Sequence, residues 1–413
     1  MPAVRAFDRW GALVVDKSEP DRSVWIPVAT RRRAIAFIVL IGFVSLFADM
    51  TYEGGRSVAG PFLGMLGASA VIVSVVAGLG EFLGYGVRYL SGRAADRGGH
   101  YWTIMGAGYL INLLAVPLLA FAWSWPVAML LLITERLGRA IRAPIRGAML
   151  SHATSRTGAG WGFGLHAALD QTGGLAGPLL VAGLLALGEG YHRSFALLLI
   201  PALASLAVLA AARISYPDPR QLALRRTRVE RAAWPGFGRL FRADTVAAAL
   251  IGAGFADFAL IAFHLTRAGI VPPAWIPLLY ALAMAMEGVA ALVLGWLLDR
   301  VGTMVMPMAV VVAALAVPLV FLGGPAAAVV GAGLWGIGTA TQDTVFHALL
   351  SRYLPQDRRA TAYGLFDAVR GTAWLAGSVL LGLLYSVSLP VLVAASLALQ
   401  LAALPVLLVR ERS

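Results

Sequence analysis

The chain has 413 residues, of which 59% are hydrophobic and only 13% are charged, and its formal net charge is +12 at neutral pH. Soluble domains carry about 25% charged residues, so this composition excludes an ordinary soluble globular protein. The chain contains no cysteine, which excludes disulfide scaffolds and cysteine-based metal or redox sites. Its basic residues lie in short gaps between apolar runs, which argues against a nucleic-acid partner.

Long apolar runs follow one another from residue 34 almost to the C-terminus, each close to the roughly 20 residues that a helix needs to cross a bilayer. A segment in lipid must satisfy its own backbone hydrogen bonds, so these runs are expected to be helices. The sequence therefore predicts an all-α polytopic membrane protein embedded in the lipid bilayer. Twelve transmembrane helices are predicted, at residues 34–55, 69–91, 102–122, 127–149, 159–186, 194–212, 245–265, 275–298, 304–322, 327–350, 360–386 and 389–409.

The distribution of arginine and lysine predicts the orientation of these helices. With a cytoplasmic N-terminal segment over residues 1–33, most basic residues fall on the cytoplasmic side. Both termini are then cytoplasmic, with a cytoplasmic linker at 213–244 and a short tail at 410–413. The predicted outer loops contain three arginines, Arg56, Arg193 and Arg267. The use of arginine over lysine and the many alanines indicate a bacterial genome rich in G and C, and hence the bacterial inner membrane.

Two parts of the chain repeat each other. Residues 148–180 align with 348–380 without a gap, and Phe47-Ala48-Asp49 is repeated as Phe255-Ala256-Asp257. Self-similarity of this kind marks structural repeats. Because each half holds six predicted helices, equivalent helices run in the same direction. We therefore expect a six-helix bundle at 34–212, a second at 245–409, and a cavity between them near the bilayer midplane.

A charged motif, Gly-x-x-x-Asp-Arg-x-Gly, occurs once in each half. The copies are Gly92/Asp96/Arg97/Gly99 and Gly295/Asp299/Arg300/Gly302. With both copies at equivalent predicted loops, the chain resembles the major facilitator superfamily (MFS) from residue 34 to 409. The resemblance implies a cytoplasmic gate in which Asp96 and Asp299 accept hydrogen bonds from a helix N-terminus across the interface between the halves. These bonds would hold the cytoplasmic side shut in one state and break in the other. The alternative is a simple turn with solvated charges.

The fifth predicted helix carries the spacing Gly164, Gly173, Gly177-Pro178. This spacing resembles the signature of proton-driven exporters of the superfamily, although Val181-Ala182 replaces the usual glycine pair. The alternative is generic close packing, because glycine lets membrane helices approach each other.

Ionisable residues within membrane helices are expensive and are functional candidates by default. The candidates for proton coupling or substrate binding are Asp49, Glu53, Glu81, Arg136, Asp170, Asp257, Glu287, Asp367 and Arg370. The family arrangement, in which the second helix faces the eleventh, predicts an ion pair between Glu81 and Arg370. In the same arrangement the fifth helix faces the eighth, which places Asp170 and Glu287 at similar depth. The two acids could share a proton there. Alternatively, an arginine of the fourth helix or a carbonyl could neutralise each acid.

Asp49 is interpreted either as a coupling or substrate residue, or as a structural partner of Arg56 or of a buried polar network. Arg142 and Arg146, on one face of the fourth predicted helix, are expected to anchor the interface or contact a loop. No metal site is predicted, since the histidines do not cluster; a pair of His264 with Asp257 is the weak alternative.

Tryptophan is expected to form an aromatic belt near the membrane surfaces. The belt residues are Trp123, Trp125, Trp234, Trp275 and Trp335. Trp374, with Tyr85, Tyr280 and Phe366, either lines the cavity or packs in the core.

Together these features predict a secondary active transporter that moves a small solute by alternating access, with proton-coupled export of an organic compound as the leading hypothesis. The alternatives are a proton-coupled symporter for uptake and a non-transporting membrane receptor. No enzymatic motif is present, so an enzyme is not predicted. No cofactor is expected, and the expected partners are the substrate and protons, with the protein as a monomer.

Overall fold

A computed structural model describes residues 28–98, 100–157, 159–218, 238–354 and 359–411, with most of their side chains. Within these ranges the chain is helical and forms no strand. The α-helices are α1 Val28–Ser57, α2 Ala59–Met65, α3 Ala70–Gly98, α4 Tyr101–Leu118, α5 Trp125–Thr157, α6 Ala159–Ala186, α7 Tyr191–Leu197, α8 Leu199–Ser215, α9 Arg239–Gly254, α10 Phe258–Arg267, α11 Trp275–Val301, α12 Val305–Ala314, α13 Ala316–Leu322, α14 Pro325–Ala340, α15 Phe346–Ser351, α16 Arg359–Val387, α17 Leu389–Leu401 and α18 Ala403–Glu411. Most of the predicted N-terminal segment and linker lies outside the described residues.

Eight stretches of the described chain are long and apolar enough to cross a membrane. They are Arg31–Ser57, Ala70–Arg88, Tyr101–Phe121, Tyr191–Ser215, Arg239–Arg267, Trp275–Leu322, Ala362–Val387 and Leu389–Val409. The stretch Trp275–Leu322 covers two of the predicted spans. Helix α5 is not among the eight, because it carries Glu135 and a series of arginines. The protein is thus a multi-pass helical membrane protein.

Several helix boundaries are single-residue interruptions. Leu198, Leu315 and Ala402 separate successive helices but keep right-handed helical φ and ψ angles. The helical path therefore continues through these residues. Helix α1 also runs two residues beyond the predicted span and includes Arg56, which the sequence had placed in an outer loop.

The break between α9 and α10 is a true interruption of a membrane helix. Phe255 and Asp257 have extended backbone angles, and the Asp257 carboxylate caps α10 by accepting from the amide of Ala259 at 2.9 Å. The carbonyl of Gly254 accepts hydrogen bonds from the Ser396 hydroxyl and the Gln400 amide. Backbone groups freed inside a membrane need such internal partners, so side chains of α17 make this break possible.

The N-terminal half, α1–α8, and the C-terminal half, α9–α18, share a hydrophobic core at one end of the molecule, which we call the closed end. Phe62 of α2 and Phe258 near the start of α10 both belong to this core and are completely buried. Helices α2 and α10 approach so closely that a side-chain carbon at Gly60 would overlap the carbonyl of Ala259.

At the opposite end, which we call the open end, each half has its own core. One cluster contains Phe37 and Met149 and belongs to the N-terminal half; the other contains Phe241 and Phe346 and belongs to the C-terminal half. The two halves are thus joined by apolar packing at the closed end and have separate apolar cores at the open end.

Two helix pairs connect the halves along their length. Helix α3 packs against α16, where carbon atoms added at Gly78 and Gly382 would contact Ser378 and Ser74. Helix α6 packs against α11, where the Gln171 side chain donates a hydrogen bond to the carbonyl of Met284 at 2.8 Å. Small residues allow this close approach of helices. Both pairings agree with the arrangement that the resemblance implies.

Candidate functional site

A cavity of about 390 Å³ lies between the two halves. Its volume falls within the range of about 300–1,000 Å³ that is typical of small-molecule sites. The lining residues are mostly charged or aromatic: Glu53, Arg56, Glu81, Tyr85, Arg88, Arg139, Met284, Glu287, Trp335, Thr339, Asp343, His347, Asp367, Arg370 and Trp374. A cavity so rich in charge within a membrane protein is expensive to maintain, which points to a functional site.

Arg370 of α16 is the centre of an ion-pair cluster on the C-terminal wall. Its guanidinium lies 2.6 Å from the Asp343 carboxylate and 3.7 Å from that of Asp367, and it donates to the hydroxyl of Tyr85 across the interface. Asp367 is also 3.4 Å from the His347 ring. Asp343 belongs to a π-helical segment, Thr341–Val345, and such segments occur frequently at functional sites.

Tyr52 of α1 is the centre of an arginine cluster on the N-terminal wall. Its hydroxyl accepts hydrogen bonds from Arg139 and, at 3.0 Å, from Arg56. The Arg139 guanidinium lies 4.2 Å from the centre of the Tyr52 ring, and Arg136 lies at 5.8 Å, which are cation–π distances. One buried aromatic ring therefore holds three arginines of this wall in place.

The predicted ion pair between Glu81 and Arg370 is wrong. Glu81 instead pairs with Arg136 and lies 3.6 Å from Arg56, both in its own half. One turn further along α3, Tyr85 makes the contact with Arg370. Glu81 and Arg370 thus each form ion pairs within their own half, and the neutral hydroxyl of Tyr85 makes the contact with Arg370 across the interface.

Asp170 does not line the cavity with Glu287, because it pairs with Arg146 at 3.1 Å. Asp49 pairs with Arg142 at 3.3 Å, and Arg142 is only 2% exposed. The expectation that Arg142 and Arg146 anchor the interface or a loop is therefore wrong: Arg142 neutralises the buried Asp49 of α1, and Arg146 neutralises the partly exposed Asp170 of α6. Asp49 thus lies in a buried polar network with Arg142, and Arg56 is not its ion-pair partner. A coupling or substrate role for Asp49 stays a prediction.

Three further acids differ in their partners. Glu135 accepts a hydrogen bond from the Asn112 amide at 2.6 Å and lies 3.6 Å from Arg136. Glu53 accepts from the Tyr280 hydroxyl at 2.5 Å and has no cation within ion-pair distance in the described part of the chain. Glu287 lines the cavity and makes neither a hydrogen bond nor an ion pair with any described residue.

Asp257 serves chiefly as the cap of α10, with Arg56 at 3.8 Å. His264, the partner considered for a metal site, has its Nδ1 atom 3.1 Å from the Tyr385 hydroxyl. Over the ranges that the structure describes, no group of three or more His, Cys, Asp or Glu residues could hold a metal ion.

The two Gly-x-x-x-Asp-Arg-x-Gly copies lie in helices rather than in turns. Helix α3 continues to Gly98, so the first copy up to that residue is helical; the side chains of Asp96 and Arg97, and Gly99 as a whole, lie outside the described residues. Only the last glycine of the second copy, Gly302, forms a turn, with a φ of 79°.

The second copy makes its contacts within the C-terminal half. Asp299 pairs with Arg352 at 2.7 Å, and the Arg300 guanidinium lies 4.4 Å from the centre of the Trp296 ring. Among the described residues, Asp299 accepts no bond from a helix N-terminus of the other half. The halves have separate cores at this end, so the gate expected for the closed state stays a prediction. The acid lies in the last turn of α11, where its side chain is 80% exposed and meets an arginine instead.

The glycines of the fifth predicted helix have a packing role in α6. Side-chain carbons at Gly173 and Gly177 would overlap the carbonyls of Leu46 and Met50 on α1, whereas Gly164 faces open space. Pro178 lies inside α6. The repeat is reproduced in the contacts, since Gly377, the counterpart of Gly177, packs on the Ala253 carbonyl of α9.

The aromatic residues divide between the membrane surface, the cavity and the core. Trp123 and Trp275 are exposed, as expected for a belt, whereas Trp335 is buried against the cavity and was assigned to the belt wrongly. Trp374 and Tyr85 line the cavity. Of the other two residues considered with them, Phe366 is in a core cluster and Tyr280 is buried.

Sequence reasoning missed several cavity residues. Arg56 was counted as a loop residue, although its position one turn after Tyr52 on α1 was a signal that it faces the same side. Arg88 follows Tyr85 by three residues on α3, and its guanidinium lies 5.2 Å from the centre of that ring. His347 gave no signal, because nothing in the sequence places it beside Asp367.

Comparison with known proteins identifies the family. The model of the Major Facilitator Superfamily matches residues 35–378 and 274–413. The chain belongs to the major facilitator superfamily. An uncharacterised protein of Mycobacterium tuberculosis is 38% identical over 375 residues, covering 89% of this chain and 91% of that protein. An uncharacterised MFS-type transporter of Methanocaldococcus jannaschii is 29% identical over 143 residues, or 35% of this chain and 36% of that protein.

Solved MFS structures share the fold at low sequence identity. The peptide transporter POT in complex with sulfate gives a TM-score of 0.72 at 16% identity, covering 92% of this chain and 97% of that chain. The nucleoside transporter NupG gives 0.69 at 14% identity, covering 91% and 98%. A bacterial homologue of the human lysosomal transporter Spinster, inward-facing and occupied, gives 0.71 at 14% identity, covering 92% and 97%. Family and fold together support a role in membrane transport.

Proposed function

We propose that this MFS protein is a secondary active transporter that moves a small organic solute through the cavity by alternating access. The observation that carries the proposal is a charged cavity between two halves that share an apolar core at one end and have separate cores at the other. A site closed on one side only is what a carrier needs in one of its two states. The opposite state requires α2 and α10 to separate and the open end to close.

The proposed topology has twelve crossings in two six-helix bundles, at 34–212 and 245–409, with both termini cytoplasmic in a bacterial inner membrane. The excess of arginine in the predicted cytoplasmic segments supports this orientation. The open end contains the start of α1 and the end of α11, so it would face the cytoplasm. The pair Asp299–Arg352 lies at that end, where it can strengthen or weaken as the halves move.

We assign proton coupling to Glu287. Most other acids around the cavity are paired: Glu81 with Arg136, and Asp343 and Asp367 with Arg370. Protonating one of those acids would remove one of the ion pairs of Arg136 or Arg370, which is costly. Glu287 has no such partner, so it can gain or lose a proton without breaking an ion pair.

Export in exchange for protons is the proposed direction. The Gly164/Gly173/Gly177-Pro178 spacing resembles that of proton-driven exporters, and this resemblance supports export over uptake. Symport for uptake is the second candidate. The two differ in whether the solute moves against the proton flux or with it.

The test uses the purified protein in sealed proteoliposomes loaded with a mixture of amino acids, short peptides, nucleosides and amines. Mass spectrometry identifies which solutes cross when a pH gradient is imposed. We expect at least one solute to move against the proton flux. The Glu287→Gln variant should lose gradient-driven flux while retaining exchange of labelled for unlabelled solute when the solute concentration is raised to saturation. Glu189→Gln is the control, since Glu189 forms an exposed pair with Arg193.

The other outcomes contradict parts of the proposal separately. Absence of any flux would favour the non-transporting receptor. Solute movement in the direction of the protons would favour the symporter. A Glu287→Gln variant with normal gradient dependence would move the coupling role to another group.

A further inference from the structure

The charges that line the cavity do not all neutralise each other. Arg139 and Arg88 have no carboxylate within ion-pair distance among the described residues, and their described contacts are with aromatic rings and a hydroxyl. Glu53 and Glu287 likewise have no cation within that distance. All four side chains line the same cavity, so two cationic and two anionic groups remain without counter-charges.

These unneutralised groups lie on different walls. Arg139 on α5 and Arg88 on α3 belong to the N-terminal half, whereas Glu287 on α11 belongs to the C-terminal half. Glu53 of α1 lies at the boundary, where it accepts a hydrogen bond from Tyr280 of α11. The cavity therefore has a cationic wall facing an acid of the opposite half.

An unpartnered donor adds to this arrangement. Trp374 lines the cavity and is 7% exposed, and its indole nitrogen makes no hydrogen bond with any described residue. A buried indole N–H normally has a partner, so an acceptor on a bound molecule would satisfy it. Trp374, Trp335 and Tyr85 also supply aromatic surface for an apolar or cationic part of the ligand.

We propose that the transported solute is a zwitterion, whose anionic group binds Arg139 and Arg88 and whose cationic group binds Glu287. The proposal rests on the proposed transport function and deepens it by naming the substrate class. A solute with a single charge would pair with the unneutralised groups of one wall and leave the partly buried charge of the other wall without a counter-charge, which is unfavourable. A zwitterion satisfies both, and by contacting both halves it favours their movement together.

The test compares probes that share a carbon skeleton and differ in which charged groups they carry. Three matched sets are added to the purified full-length protein in detergent at neutral pH: L-phenylalanine, phenethylamine and hydrocinnamate; leucine, isopentylamine and isocaproate; glycine betaine, choline and tert-butylacetate. Binding is measured by thermal shift and by calorimetry. We expect the zwitterion of at least one set to bind more tightly than its cation and its anion. The proposal is overturned if a singly charged member binds best in each set that binds, or if no set binds.

Charge-removal variants then assign the two sites. Arg139→Gln is expected to weaken binding of the zwitterion about ten- to hundredfold, as loss of a charged hydrogen bond does. Binding of the amine probe should be unaffected. Glu287→Gln should weaken binding of the zwitterion to a similar extent and leave binding of the carboxylate probe unaffected. Arg193→Gln, at an exposed surface pair, is the control and should change nothing. An equal loss of affinity for all three probes in either variant would indicate a structural role and contradict the assignment.

Flux separates this inference from the proposed function. If the proteoliposomes transport a cation, an anion or an uncharged solute but no zwitterion, the transporter assignment stands and the substrate class is wrong. If no solute crosses although a zwitterion binds, the substrate class stands as a ligand class and the transport function fails.

Discussion

At the scale of single residues, what the cavity can bind depends on which of its charges are paired and which have no counter-charge. Tyr52 is 1% exposed and receives hydrogen bonds from two arginines while a third lies over its ring. These three arginines on α1 and α5 would otherwise repel each other. A neutral phenol thus positions these cations without neutralising them, so that Arg139 keeps its charge for a ligand.

Tyr52→Phe removes the hydroxyl and keeps the ring. Two partly buried guanidinium groups then lose an acceptor, which should cost about 1–3 kcal/mol of stability. We expect a lower unfolding temperature in detergent and reduced solute flux. Tyr191→Phe is the matched control, because the Tyr191 ring packs on Phe62 and its hydroxyl makes no hydrogen bond with the described part of the chain. Equal unfolding temperatures for the two variants would contradict this role of Tyr52.

The sequence identified the ionisable residues of the membrane helices but not their partners. Helical spacing predicts depth and face, and it was sufficient to select Glu81, Glu287 and Arg370 as candidates. It does not predict how a helix is rotated against helices far away in the sequence. The choice of Arg136 over Arg370 as the partner of Glu81 depends on that rotation, and so it could not be predicted.

At the scale of helices, glycine contacts determine how α1 and α6 pack, and the internal repeat reproduces this contact between α9 and α16. The twofold sequence pattern predicted equivalent helices that run in the same direction in the two halves. The break before α10 and the π-helical turn at Asp343 were not predicted, because each depends on distant side chains such as Ser396 and Arg370. Local propensity carries no information about those partners.

Gly177→Ala should destabilise the protein, because the added carbon would overlap the Met50 carbonyl and lie 2.8 Å from the amide nitrogen of Gly54. Backbone atoms in a packed helix cannot move aside as a flexible side chain can, so we expect a loss of about 1–3 kcal/mol. Gly164→Ala, on the same helix but facing open space, is the control. The two variants are compared by thermal unfolding in detergent, and equal unfolding temperatures would contradict the packing role.

At the scale of the whole molecule, the account depends on two halves that exchange contacts between the closed and open ends. The composition, the repeat and the paired motifs were sufficient to predict a multi-pass helical protein and its family, whereas the exchange of contacts stays a proposal. They did not predict which end is closed in this structure, because both states must be compatible with one sequence. The opposite state that we propose would have to break contacts of the closed end, such as that between Gly60 and Ala259.

The most direct test is a pair of distances measured by electron paramagnetic resonance. Because the chain has no cysteine, spin labels can be attached at pairs of introduced cysteines: Met65 with Arg267 at the closed end, and Leu90 with Val301 towards the open end, all at exposed positions. On moving the protein in liposomes between acidic and alkaline buffer, we expect a population in which the Met65–Arg267 distance is longer and the Leu90–Val301 distance is shorter. Glu287→Gln should remove the dependence on pH. Distances that both lengthen together, or that never change under any condition or with any bound zwitterion, would contradict alternating access in this protein.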